Sequence, residues 1–150
     1  MVCPFAEGGA TTEAMRFAAL DVGDARIGLA VCDELGLTVR GVGLVRRTGG
    51  QRDLVAVADL LGPYEPAKLV VGLPLNMDGT EGPQARRVRA FAERIGSHLG
   101  LPVELWDERL TTFEAERSLR AAGVSSARRR SVVDQEAAAI ILESYLARPL

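Results

Sequence analysis

Histidine occurs once, as His98, and cysteine twice, as Cys3 and Cys32. So few soft or imidazole ligands exclude a zinc site of the usual spacing, and two cysteines make no disulfide framework. The first fourteen residues lack the basic start and apolar centre of a secretory leader, which points to a reducing cytoplasm. Apolar runs are short: Ala137 to Leu142 is typical, far below the roughly 20 residues that cross a bilayer. Aromatic residues make up only 5% of the chain, and the single tryptophan, Trp106, falls in an expected buried strand. No platform for stacking unpaired bases is evident. Lysine is nearly absent too, with Lys68 alone among 18 basic residues, so positive charge means arginine, the side chain suited to bidentate phosphate contacts. The net charge of −2 does not mark a general polyanion binder, although acids gathered in a metal site can offset a local basic face.

What remains is an ordinary globular composition, 47% hydrophobic and 25% charged over 150 residues, enough for one domain with a real core. Residues 1–14 are small and polar and are expected to form a flexible tail, with a single domain over 15–150. Phe17 to Leu20 and Ile27 to Val31 are apolar runs around Asp21, Gly23, Asp24 and Gly28, the pattern of a hairpin whose first strand ends on a carboxylate. Asp33 to Gly36 makes a second turn, and Val42 to Val45 a third strand. Leu54, Val57, Leu60 and Leu61 recur at helical spacing, so a helix is predicted over Gln51 to Leu61, ended by Gly62-Pro63. Lys68 to Leu73 reads as a strand buried on both faces. Leu75 to Pro83 has no periodicity and is expected to be an exposed, mobile loop. Val88, Phe91, Ala92, Ile95 and Leu99 define an amphipathic helix that Gly100 and Pro102 end. Val103 to Trp106 is the fifth strand. Thr111 and Glu114 make a capping box, and a last helix is expected from about Ser131 to Leu146. This order predicts an α/β fold with one mixed sheet, its first strands antiparallel and its later ones parallel.

Three carboxylates stand at pointed places. Asp21 ends the first strand, Glu108 lies just past the fifth, and Asp134 precedes Ala137-Ala138-Ala139. Each has a plainer role available: Asp21 can open its turn, Asp107 and Glu108 can favour a helix start, and Asp134 can cap. Functional groups of a largely parallel sheet gather beyond the strand ends, and small residues after Asp134 let a helix come close to the sheet. Carboxylates converging there would repel one another without a cation between them. With no histidine or cysteine cluster to compete, hard oxygens select Mg²⁺ or Mn²⁺. A pair of such ions about 3.5–4 Å apart serves in-line attack on a phosphodiester, and no protein nucleophile stands out.

The chain resembles the YqgF/RuvX family, described both as Holliday junction resolvases and as pre-16S rRNA nucleases. Four blocks carry the resemblance, in order: Asp21-Val22-Gly23-Asp24-Ala25-Arg26-Ile27-Gly28, Val71-Gly72-Leu73-Pro74-Leu75-Asn76-Met77-Asp78-Gly79, Asp107-Glu108-Arg109-Leu110-Thr111-Thr112, and Val133-Asp134 through Ala138 to Leu142. It implies a ribonuclease H-like fold, a five-stranded mixed sheet with helices on both faces. It implies that Asp21, Glu108 and Asp134 are the catalytic, metal-binding set for Mg²⁺ or Mn²⁺, and that Arg26, Asn76 and Arg109 in the same blocks face nucleic acid. The substrate is then four-way junction DNA or precursor rRNA, and cutting opposed strands of a junction calls for a homodimer. Cys32 stands where the family has serine. In this strand order the fourth strand separates the first from the fifth, so Glu108 has to reach across Leu73-Pro74.

Arg128, Arg129 and Arg130, shortly before Asp134, are further candidate phosphate contacts, while Arg86, Arg87 and Arg89 serve equally well as a solvated helix face. Recognition by phosphate position and shape is expected over base identity. Two other classes stay open. A non-catalytic RNA-binding module of ribosome maturation would keep the fold without cleaving. The Asp-x-Gly turn also resembles the phosphate loop of actin-like ATPases, which need a second lobe and a second such loop.

Overall fold

The computed structural model of the chain describes residues 16–109 and 137–148. Five strands form one sheet in the order β3-β2-β1-β4-β5. β1 (Phe17–Val22) and β2 (Arg26–Cys32) are an antiparallel hairpin, and β3 (Val39–Arg46) continues it at one edge. β4 (Lys68–Leu73) and β5 (Val103–Asp107) lie parallel to β1 on the other side. The crossovers are α1 (Gln51–Leu61) with a short 3₁₀ turn (Gly62–Tyr64), and α2 (Pro83–Leu99). Residues 137–146 are helical.

Alternation along the strands sends side chains to two separate layers. Leu20, Ile27, Leu29 and Val71 face α1 and α2, where Val57, Leu61, Phe91 and Ile95 meet them. Ala19, Cys32 and Val70 face the other way and are covered by Ile141, Leu142 and Tyr145. Each large side chain fully removed from water there contributes about 1.5–3 kcal/mol, so the helices are held by these faces. Lys68 fastens the second layer: its Nζ donates to Glu104 Oε1 (2.6 Å) and to the Tyr145 hydroxyl (2.7 Å), which in turn donates to the same Glu104 oxygen (2.9 Å).

Helix ends follow local chemistry. Pro83 starts α2 at the position where its missing N–H costs nothing. Gly100 ends it in the left-handed conformation (φ 68°), its N–H bonded to Gly96 O. β3 runs from Val39, longer than the Val42–Val45 expected; Gly41 and Gly43 interrupt the apolar alternation and flank a register shift at Val42, beyond which the pairing to β2 continues. β5 likewise extends through Asp107.

Candidate active site

Asp21 is the fifth of six residues in β1. Its neighbours Leu20 and Val22 enter the α1/α2 core, so Asp21 faces the layer covered by residues 137–146. The hairpin closes immediately beyond it, with Gly23 N–H bonded to Arg26 O (2.8 Å). Opposite Asp21 sits Gly28. A Cβ there would lie 3.8 Å from both Asp21 Cβ and Ala138 Cβ, so glycine on one side and alanine on the other bring the helix down beside the carboxylate.

Glu108 follows β5, whose last pair with β4 is Leu73 with Asp107. The obstacle between Glu108 and Asp21 is therefore β4, and it is bare at the crossing point. A Cβ on Gly72 would stand 2.7 Å from Glu108 Oε1, 2.8 Å from its Cγ and 2.6 Å from Ile141 Cδ1. Real Cβ atoms do not approach so closely; glycine at position 72 is what lets Glu108 lie across the strand and hydrogen-bond Asp21. The signal was present in the sequence as a glycine inside an apolar strand, which marks a close approach. It needed the strand order to be read.

Two adjacent carboxylates cannot both ionise freely. Glu108 is pushed up from its ordinary 4.5 to about 8, first by burial, then by the hydrogen bond with Asp21 and the charge on Asp21, with a lesser push from Asp107. The pair therefore keeps a proton to higher pH than an isolated glutamate would. Asp107 behaves in the opposite way. Its carboxylate takes Nε and Nη2 of Arg109 (2.9 and 2.6 Å to Oδ2), which holds its pKa below the usual range. Side by side in sequence, one acid is neutralised by a cation and the other by a proton.

Arg109 also donates from Nη1 to Met77 O (3.1 Å), latching the segment after β4. That segment is exposed from Asn76 to Thr80 with no helix or strand, as its lack of periodicity predicts, and it closes on itself as a hydrogen-bonded turn. Asn76 N–H bonds Thr80 O (2.9 Å), Gly79 N–H bonds Asn76 O (2.8 Å), and Asn76 Nδ2 donates to Thr80 Oγ1 (2.9 Å). Asp78 accepts from both the N–H and the hydroxyl of Thr80. Asn76 and Arg109, expected at the nucleic acid, are thus engaged in building this turn. Arg26 opens β2 at the exposed hairpin tip. Arg86, Arg87 and Arg89 lie exposed on α2; Arg89 is bonded to Glu81, and Arg87 lies 3.6 Å from Asp24. His98 is exposed. Asp134 and Arg128, Arg129 and Arg130 lie outside the described residues.

A second set of contacts braces the hairpin from behind and was not foreseen. Asp53, 1% exposed, accepts from Thr48 N–H (2.9 Å), Gly49 N–H (3.1 Å), Thr48 Oγ1 (3.2 Å) and Arg47 Nε (3.3 Å). Arg47 Nη1 then donates to Gly23 O (3.1 Å), two residues from Asp21.

Among the described residues no group of three or more acid, histidine or cysteine ligands forms. The donor chemistry nevertheless fits a hard divalent cation: two carboxyl groups, hydrogen-bonded to each other, at the ends of β1 and β5. A hollow of about 470 Å³ lies between Arg16, Asp33, Arg40 and Tyr64 at the opposite end of β1.

The fold is that of the ribonuclease H-like resolvases. The structure of T. thermophilus RuvC in complex with Holliday junction substrate superposes with a TM-score of 0.54 at 18% identity, over 91% of this chain and 99% of that one. A second Thermus thermophilus RuvC structure gives 0.52 at 16% identity, over 88% and 94%. Within that class the chain belongs to the RuvX family, whose model, described as Holliday junction resolvase, matches residues 15–148. A relative from Anaeromyxobacter dehalogenans (strain 2CP-C), named "Putative pre-16S rRNA nuclease", is 56% identical over 89% of this chain and 98% of its own length. One of the same name from Myxococcus xanthus (strain DK1622) is 52% identical over 88% and 87%. The family is one of nucleases.

Proposed function

We propose that the chain is a divalent-metal-dependent endonuclease that hydrolyses phosphodiester bonds in structured nucleic acid. The observation that carries this reading is the reach of Glu108 over Gly72 to Asp21, two acids held too close for both to ionise unless a cation joins them. Asp21, Glu108 and Asp134 would hold Mg²⁺ or Mn²⁺, for which Glu108 would have to be ionised. Such ions, when bound, supply an activated water and stabilise the leaving oxygen. The residues' own work is placement. The hairpin fixes Asp21, the bare backbone at Gly72 admits Glu108, and Arg26 with Arg128, Arg129 and Arg130 offer guanidinium groups to phosphates along the approach. Asn76 and Arg109 act on the substrate through the turn they hold.

Precursor 16S rRNA is favoured over four-way junction DNA as the substrate, because the relatives above 50% identity carry that name, whereas the junction-bound neighbour at 18% supports the fold alone. Cytoplasmic action follows from that substrate, and no helix among the described residues is long and apolar enough to cross a membrane. Cutting junction DNA in addition would require a two-fold homodimer.

Labelled precursor rRNA and junction DNA, each incubated with Mg²⁺, Mn²⁺ or EDTA, test the reading. Cleavage should require the ion, and Asp21→Asn should fold normally yet lose turnover by a factor of about 10³ or more, as metal-ligand losses do. Activity that survives EDTA would sink the metal, and full activity in Asp21→Asn would remove this acid from the reaction. Binding without cleavage under every condition would leave an RNA-binding module.

A further inference from the structure

Met77 is 90% exposed, the most exposed of the large apolar side chains among the described residues. Single exposed apolar residues are common and need no special explanation. Leu35 and Leu37 are nearly as open, at 74% and 77%, but they sit on the β2–β3 turn at the far end of the sheet. Met77 differs in two respects. Its turn follows the end of β4, and its carbonyl is hydrogen-bonded by Arg109, the residue after Glu108.

Every polar side chain of the turn is spent on the turn. Asn76 bonds Thr80, Asp78 bonds Thr80, and Arg109 donates to the carbonyl of Met77 itself. Arg109 is the residue after Glu108, so the tip is fastened directly beside the carboxylate pair. The turn also starts from β4 immediately beyond Gly72, where Glu108 crosses. The Met77 carbonyl is one hydrogen bond from Arg109, which follows Glu108, so the tip neighbours a phosphate placed at Asp21 and Glu108. What the nucleic acid meets there is an unbranched, polarisable thioether that is 90% exposed. Side chains of this kind enter between bases and unstack them.

We propose that Met77 is a wedge that enters a base step next to the scissile phosphate and holds it unstacked. The proposal rests on the nuclease reading and deepens it. A wedge would give a site with no aromatic platform among the described residues a preference for bends, branches and helix ends over regular duplex, since steps there are already partly open and cheap to part. The chemistry recognised is a stacked base pair step, which a four-way junction and a folded precursor rRNA both present.

The test places 2-aminopurine at successive positions near the branch of a four-way DNA junction, and near a helix end of a precursor 16S rRNA fragment. Fluorescence is read on binding in EDTA, so that nothing is cut. One position should brighten several-fold with the wild type. Met77→Ala should abolish the rise and weaken binding by about tenfold, the scale of one lost base contact, while Met77→Leu restores both. The arm that brightens identifies which nucleic acid supplies the step. An absent rise with bound wild type, or a rise undiminished in Met77→Ala, overturns the wedge. Failure of the nuclease reading shows separately: the rise would persist while Mg²⁺ elicits no cleavage. Failure to bind either probe overturns both.

Discussion

A glutamate that keeps its proton near neutral pH must be both shielded and crowded, and Glu108 is both. Burial is the larger cause of its rise to about 8, and Asp21 the next. The unfolded chain titrates this group near its ordinary 4.5. Between the two values the folded state therefore binds the proton and the unfolded state does not. The sign follows: the contribution to stability is complete below about 4.5 and is lost as pH rises through about 8. In EDTA, the melting temperature of the wild type should fall across that interval, and Glu108→Gln, which keeps its own hydrogen-bond donor at every pH, should show a shallower decline. Added Mg²⁺ should reverse the trend in the wild type, because the ligand must be ionised and affinity climbs with pH. Identical profiles for wild type and Glu108→Gln in EDTA would mean that the two carboxylates do not share a proton.

At the scale of elements, the fold is legible wherever one stretch of chain carries the whole signal. The bounds of α1, Gln51–Leu61, follow from apolar spacing and the Gly62-Pro63 stop, and β4 from a continuous apolar run between turns. Contacts between stretches are not legible this way. Asp53 reads as an ordinary acid in a helix's first turn, yet it is buried and ties α1 to Arg47, and through Arg47 to the hairpin that carries Asp21. Gly72 and the Arg109 latch belong to the same kind: each makes sense only once β4 is known to lie between β1 and β5. Asp53→Ala should cost about 3–5 kcal/mol, because it strands a partly buried guanidinium and two backbone N–H groups. Asp59→Ala, exposed on the same helix, should stay within about 0.5 kcal/mol. Urea unfolding of the two variants checks the contrast. Equal, small losses would reduce Asp53 to a surface acid.

Across the whole molecule, a site made from the ends of β1 and β5 draws its acids from positions 87 residues apart in numbering, 21 and 108, while the basic groups that could guide a polyanion are scattered. The structure sorts some of them. Arg89 is committed to Glu81 and Arg109 to Asp107, whereas the 3.6 Å pair between Arg87 and Asp24 joins two well-exposed side chains and is worth little. Each phosphate neutralised by a cation steepens the fall of binding with salt by about 0.9 on a log–log scale for duplex DNA. If Arg128, Arg129 and Arg130 line the approach to Asp134, their joint replacement by alanine should flatten that slope by roughly two to three units. Arg89→Ala should leave it unchanged. Arg86→Ala with Arg87→Ala separates the remaining possibilities. A slope that also flattens in this double variant would run the nucleic acid along α2 towards the hairpin tip at Arg26, and an unchanged one would make that face of α2 merely solvated. Single-turnover cleavage at saturating substrate should suffer far less than binding in the triple variant, since its acids are intact. A loss of cleavage as deep as that of Asp21→Asn, with the salt slope untouched, would move these arginines from guiding the backbone to building the site itself.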